Sequence, residues 1–400
     1  MSFVSGEIPS AEQPGTKRII SIDLLRGLVM VLMALDHTRD FLSNVRFSPT
    51  DLTKTTVPLF LTRWITHLCA PTFIFLAGVA VYLYFKRRPQ SKLQLSQYLI
   101  IRGLWLVFLE LTVVHMGWIF DPTYSFTPAG VLWAIGWSMV VLAALVRMPI
   151  PLIAALGILL IGGHNLFDNI HVEQLGRWGW LWAVLHEPKI FTPFPHKIFA
   201  ITYPLIPWIG VMATGYAFGT VFYLEKASRL RLLRSLGLGL IAGFVVLRAL
   251  NLYGDPHPWK VQTNLTHTIL SFINCNKYPP SLLYLLITLG IAMLLLYVFE
   301  KQRLRILKPL VLFGQVPLFF YIIHIWLVHF TAILLALPKY GLKAIIMPFV
   351  MSSLRPANYG YDLPTIYKIW IFIIILLYPI CSWYMNYKTK HRTSKWLKFL

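Results

Sequence analysis

Acidic side chains are scarce in this sequence. Asp and Glu number 15 against 36 Lys and Arg, which leaves a net charge of +21 over 400 residues. Charged residues make up only 13% of the chain, whereas 57% is hydrophobic and 15% aromatic. That balance excludes a soluble globular protein, whose core could not hide so much apolar surface. The three cysteines, Cys69, Cys275 and Cys381, supply neither a disulfide framework nor metal-ligand spacing. There is no Gly-rich phosphate loop, G-x-S-x-G elbow, zinc signature or heptad pattern. His164 with His171, and His257 with His267, miss the i,i+4 spacing of a helical metal pair. We find no internal repeat, low-complexity tract or soluble domain. The first 16 residues are polar and lack the apolar run of a cleaved signal peptide, so the first helix is read as its own insertion signal.

What is present are long apolar runs, and they predict an all-α polytopic transmembrane bundle. We read about ten spans, at 19–42, 67–85, 98–119, 128–146, 149–166, 198–224, 235–253, 280–299, 310–336 and 365–386. Residues 1–400 form one transmembrane domain, with a flexible N-terminal tail (1–17) and a basic C-terminal tail (387–400). With ten spans, the basic segments KRRPQSK (86–92), the Arg147 turn, EKASRLRLLR (225–234), EKQRLRILK (300–308) and both tails fall on one side. The positive-inside rule makes that side cytoplasmic, with both termini in it. The positive charge therefore suits anionic lipid rather than nucleic acid. The outer loops, 43–66, 120–127, 167–197, 254–279 and 337–364, are longer, and long loops tend to be functional. Asn264-Leu265-Thr266 fits the glycosylation pattern, which is frequent by chance.

The most informative stretch is Arg18–Phe41, RIISIDLLRGLVMVLMALDHTRDF. Asp23 and Arg26 lie one turn apart in its first half, and Asp36, His37, Arg39 and Asp40 crowd its last turn. Arg26, Met30, Met33 and His37 follow one another down a single helical face. Arg26 and His37 are thus about three turns, roughly 16 Å, apart on one line. A cation, an apolar stripe and a titratable imidazole in line suggest a cofactor channel leading to a base. The plain alternative is a self-neutralising Asp23–Arg26 pair at the headgroups, with the outer charges simply meeting water. Ionisable groups within membrane helices are costly, which favours the functional reading. His67 starts the second span, after loop 43–66 returns from the charged end of the first helix. The third span carries Arg102 towards the inner side, Glu110 near mid-membrane and His115 towards the outer side. Arg248 lies near the outer end of the seventh span. In the ninth, VPLFFYIIHIWLVHF, Tyr321 and His324 are one turn apart, although a lone histidine on an apolar helix is more often a packing residue.

The segments SIDLLRGLVMVLMALDHTRDF and TRWITHLCAPTFIFLAG resemble the bacterial branch of the heparan-alpha-glucosaminide N-acetyltransferase catalytic-domain family. The later VPLFFYIIHIWLVH is in the same style, and the Arg26–His37 spacing is similar to that of membrane acyltransferases acting on cell-surface sugars. The resemblance implies a multi-span enzyme of the bacterial inner membrane. It would take an acetyl or acyl group from cytoplasmic acetyl-CoA (acyl-CoA) and deliver it to an external glycan or cell-envelope sugar, without a metal. His37 matches the motif's polar position near the outer end of the first helix, and Arg26 its early arginine. The family's human-type members carry a histidine in the loop after that helix, whereas here the nearest is His67. On this reading Arg26, Met30, Met33 and Arg102 hold the donor. His37 is the base, with Asp40 as its orienter and His67 and Asp36 in support. Arg39, Glu110, His115, Tyr321 and His324 are the candidate acceptor contacts. The partners are the lipid bilayer, acyl-CoA and a sugar acceptor, with a homo-oligomer left open. The rival reading from another class is a transporter or lipid flippase that uses the same charges as a substrate or proton path.

Overall fold

The computed structural model describes residues 18–88, 90–302, 307–351 and 354–391. The N-terminal tail, most of the basic C-terminal tail, residue 89 of the 86–92 segment and residues 303–306 of the 300–308 segment lie outside the described residues.

The first helix, α1 (Ile20–Leu42), is the hub of the bundle. It packs against α2 (Val57–Thr66), α3 (Cys69–Lys86), α12 (Leu282–Lys301), α13 (Lys308–Gln315), α14 (Pro317–Tyr340) and α15 (Leu363–Lys390). Its closest neighbour is α13. A Cβ on Gly27 would lie 1.8 Å from the Leu310 carbonyl oxygen, and one on Gly314 would lie 2.0 Å from the Asp23 oxygen. Only glycine permits that backbone approach, the small-residue device by which membrane helices pack without hydrophobic drive. The approach brings the Arg26 Nη1 within 3.1 Å of the Gly314 carbonyl, to which it donates.

Around this hub lie α4 (Lys92–Leu109), α6 (Val131–Leu145), α7 (Ile150–Gly163), α9 (Leu205–Phe218) and α10 (Lys226–Leu250). They pair as α3 with α9, α4 with α6, α7 with α9, and α10 with α12. Helix α4 passes through a π-turn at Glu110–Val114 into α5 (His115–Ile119). Among the described residues, eight helical stretches are long and apolar enough to cross a membrane by length and composition. Helix α1, with five ionisable Asp and Arg residues, and the 15-residue α6 are not among the eight. The faces of α7, α10 and α15 are largely uncovered and apolar, with Leu159, Val246 and Phe372 more than half exposed, as suits contact with lipid.

Four expectations from the sequence are corrected. The fold is mostly helical but not all-α, because β1 (Phe126–Ala129), β3 (Lys197–Ile201) and β2 (Lys189–Phe194) form a small sheet in that order. β1 runs parallel to β3, and β2 antiparallel to it. Runs of aromatic, Thr and Ile residues outside the bundle favour such pairing. The supposed single span at 310–336 is broken at Val316, because Pro317 bars its predecessor from helical geometry. Segment 225–234 is not a loop but the start of α10, its Leu, Arg and Lys being good helix formers. Likewise α15 runs on to Lys390, into the supposed tail. The long connections contain helices of their own: α2, α8 (Gly179–Leu185) and α11 (Leu265–Ile273).

Candidate active site

One end of α1 opens into a basic mouth. Asp23 is buried and holds Arg18, while Arg26 Nη1 stands 3.5 Å from its other oxygen. A cavity of about 350 Å³ there is bounded by Arg18, Asp23, Arg26, Tyr84, Arg87 and Arg88. The Arg88 guanidinium lies 4.5 Å over the Tyr84 ring, which stacks on Tyr98 at 4.6 Å. Arg26, Tyr84 and Arg88 also line a second cavity of about 600 Å³ that runs into the bundle. Its walls include Met30 and Met33 of α1, Arg102 and Leu106 of α4, Leu132, Ile135 and Met139 of α6, and Leu318 and Tyr321 of α14. The four donor contacts expected from the sequence, Arg26, Met30, Met33 and Arg102, therefore share one cavity. Its cationic end and apolar shaft would take a molecule with an anionic head and a thin uncharged arm.

The shaft reaches Met33 and Tyr321. One turn further along each helix, His37 and His324 meet, with Nδ1 of His37 2.8 Å from Nε2 of His324. The rings are nearly parallel, and Trp118 of α5 closes edge-on over His37 at 4.7 Å. The hydrogen bonds assign the tautomers. His324 Nδ1 lies 3.0 Å from the Phe320 carbonyl, which can only accept, so Nδ1 carries the proton. Neutral His324 then accepts at Nε2, and His37 donates from Nδ1. That leaves a lone pair on His37 Nε2, which makes no hydrogen bond among the described residues. His37 is partly exposed, whereas His324 is fully buried.

Beyond this pair lies a buried ionic knot. Asp36 accepts from Arg63, accepts from Thr66 Oγ1 at 2.8 Å and pairs with Arg39 Nη2 at 2.7 Å. Breaking such a buried pair costs about 3–5 kcal/mol, because the remaining charge stays in the interior. Arg39 also holds the Asp40 carboxylate at 2.7 Å, and Arg355 donates to the Asp40 and Ser43 carbonyls at the end of α1. Asp40 thus sits with Arg39, and His324 occupies the orienting position beside His37 that the sequence reading gave to Asp40. Asp36 anchors α2 to α1. His67 is not on a loose loop: it follows α2 directly, is buried, and meets the Tyr284 ring at 5.4 Å. The Tyr284 hydroxyl donates to its carbonyl at 2.8 Å.

Two expected acceptor contacts are otherwise engaged. Both oxygens of Glu110 accept from the start of α6, from Gly130 N at 3.0 Å and Leu132 N at 3.2 Å. The carboxylate caps that helix, where the macrodipole favours it, instead of facing an acceptor. His115 stacks on Tyr124 at 4.3 Å and has Nε2 3.3 Å from the Asp121 carbonyl. Asp121 also receives Ser125 and Thr123; these bonds outweigh burial and hold its carboxyl well below the usual range.

Sequence reasoning missed Trp118, His329 and Tyr278. Trp118 and His329 are far from α1 in sequence, and only the fold shows Phe41 between them, at 5.4 and 5.0 Å. Tyr278, in the 274–281 connection, is pushed up by burial, but Lys277 and Arg63 more than offset this and hold its phenol below the usual value. The sequence reading weighed His164 only against His171 and passed over Asp168 and His186, which the fold brings to it.

Helices of membrane-crossing length around a shaft with a cationic mouth, its inner end one turn from a histidine pair, define a multi-pass membrane protein. The catalytic family model of heparan-alpha-glucosaminide N-acetyltransferase matches residues 18–253, more than half of the chain, and the protein belongs to that family. Membership implies a transferase, with membrane acetyltransferase activity as its type, and gives no support to the transporter reading. The match takes in Arg26, His37, His67 and Arg102 and ends before α14 with Tyr321 and His324. No curated protein matches the chain.

Proposed function

We propose that this protein transfers an acetyl or short acyl group from acyl-CoA to a sugar or glycan acceptor across a bacterial inner membrane. The observation that carries the reading is the shaft from Arg26 to Tyr321, which ends one turn short of the His37–His324 pair. Counting α1 and α6 with the eight long apolar stretches gives ten crossings, both chain ends on the side of the basic mouth, and that side in the cytoplasm. The CoA phosphates then rest among Arg18, Arg26, Arg87, Arg88 and Arg102. The pantetheine arm lies along Met30 and Met33, and the thioester reaches the histidines.

In this mechanism His37 Nε2 takes the proton from an acceptor hydroxyl or amine as that atom attacks the thioester carbonyl. His324 keeps the His37 ring in the required tautomer and supports the imidazolium that forms, a task given to a carboxylate in serine-protease triads. The C–S bond breaks, and the proton on His37 passes to the departing CoA thiolate. Acceptor, acyl group and thiol all balance without an external reagent. Asp36 and Arg39 frame the acceptor side, and His67 lines it.

The test is acyl transfer by purified protein in liposomes, with labelled acetyl-CoA on the side of the basic mouth and a panel of sugars opposite. Label should reach an external sugar only when the donor is a thioester. Movement of intact sugar or lipid without acylation would instead establish the transporter reading.

A further inference from the structure

Outside the shaft, at the far end of α7, a second cluster of ligating groups is assembled. His164 and Asp168 come from the end of α7 and the turn after it, and His186 from the residue that ends α8. One ligand atom from each can be chosen so that all lie within 4.8 Å of one another. His186 Nε2 and Asp168 Oδ1 are 3.2 Å apart. That is close to the edge of a tetrahedron built on bonds of about 2.1 Å, which is about 3.4 Å.

The two rings are nearly sealed, His164 at 1% and His186 at 2% exposure, yet neither nitrogen of His164 and not the Nδ1 of His186 has a hydrogen-bond partner among the described residues. A buried imidazole with unused nitrogens is a cost that a ligand would remove. The Pro280 backbone lies near His164 but outside hydrogen-bond geometry. Asp168 is oriented by a second partner, since its Oδ2 accepts from Asn165 Nδ2 at 2.8 Å.

We propose that His164, Asp168 and His186 bind one divalent transition-metal ion of the zinc type. Two neutral imidazoles and a carboxylate match the borderline character of Zn2+ and leave a fourth position for water or another donor. The hard cations Ca2+ and Mg2+ require more oxygens than this set offers. The ion would tie α7 to the end of α8. It would also brace the start of α12, because Asn165 Oδ1 accepts from Leu282 N at 2.9 Å, and Tyr284 in the same turn holds the His67 carbonyl. The site is independent of the acyl-transfer reading, and its test does not use activity.

The full-length protein, freed of any affinity tag and stripped with chelator, is titrated with Zn2+, and separately with Co2+ as a spectroscopic probe. One equivalent of zinc should bind by elemental analysis, thermal stability should rise, and Co2+ should give the visible absorption of a low-coordinate N/O site. His164→Ala and Asp168→Asn should each weaken binding by at least the ~10–100-fold that loss of an outer-shell partner costs. His171→Ala, which removes an exposed neighbour, should leave it unchanged. Asp168→Asn preserves shape, so it decides the matter if His164→Ala does not fold. Failure of the wild type to bind a stoichiometric ion, or undiminished binding by Asp168→Asn, overturns the site.

Discussion

His37 of α1 and His324 of α14 are joined nitrogen to nitrogen at 2.8 Å, although 287 positions separate them in the chain. The Phe320 carbonyl fixes the direction of that bond, so the pair presents its free lone pair from His37. On the proposed mechanism His324 is a positioning residue. Its replacement by alanine should lower the single-turnover rate by about 10²–10⁴ while donor affinity changes little. Glutamine can still accept from His37 Nδ1, so His324→Gln should recover part of the loss. Equal rates for the two variants would show that His324 serves only packing.

On the proposed mechanism Arg26 acts on the donor. Its guanidinium closes the mouth between Asp23 and the Gly314 carbonyl and lines both cavities. Arg26→Ala should weaken acyl-CoA binding with the fold intact. Arg26→Lys should restore only part of it, because an ammonium lacks the planar fork of donors. Calorimetric titration with CoA checks both variants, and normal affinity in Arg26→Ala would remove Arg26 from the donor site.

The contact between α1 and α13 predicts a failure of folding rather than of chemistry. Alanine at Gly27 would place Cβ 1.8 Å from the Leu310 oxygen, a backbone atom that no side-chain rotation can move. Gly27→Ala should therefore cost at least the ~1–3 kcal/mol of an overpacked core. Gly239→Ala, at a position with open space, should be tolerated. Thermal unfolding in detergent, followed by intrinsic fluorescence, compares the two.

Outside the bundle, Asp121 supplies a pH-dependent contribution. Its folded carboxyl is held below the ordinary value of about 3.9, so its stabilisation is present above that value and is lost as the pH falls through the depressed one. Asp121→Ala should lower thermal stability at pH 7, and the gap to wild type should narrow as the pH drops below 4. A gap that stays constant down to pH 3 would contradict this assignment.

The helical periodicity of α1 put Arg26, Met30, Met33 and His37 on one face; the first three line the shaft, and His37 lies one turn past its end. That was legible because spacing within one helix is fixed by 3.6 residues per turn. Contacts between helices carry no such signal. Asp40 reads as the orienter because it lies one turn on from His37 along α1, yet Arg39 holds it, and the side chain that meets His37 is His324 of α14. Glu110 reads as an acceptor contact because the start of α6, which it caps, lies twenty residues away. The small sheet escaped notice because its strands were absorbed into the apolar runs beginning at 128 and 198 and into the connection 167–197.

The last prediction ranks the two histidines near the acceptor. His37 stands directly past the end of the shaft, with a lone pair available. His67 is held as firmly, but by Tyr284 and at the end of α2, and the residue beside it, Thr66, is committed to Asp36. Rigidity therefore does not separate the two residues; alignment with the shaft does. A base must reach the proton it takes within hydrogen-bond distance. His37→Ala should thus lose about 10²–10⁴ in single-turnover rate at saturating donor, with CoA affinity nearly intact. His67→Ala should lose less and should show it as weaker acceptor binding. Thermal stability is measured for both, so that a folding defect is not read as chemistry. An inactive His67→Ala beside a His37→Ala that still transfers would reverse the roles, and near-normal transfer by both would place the chemistry elsewhere.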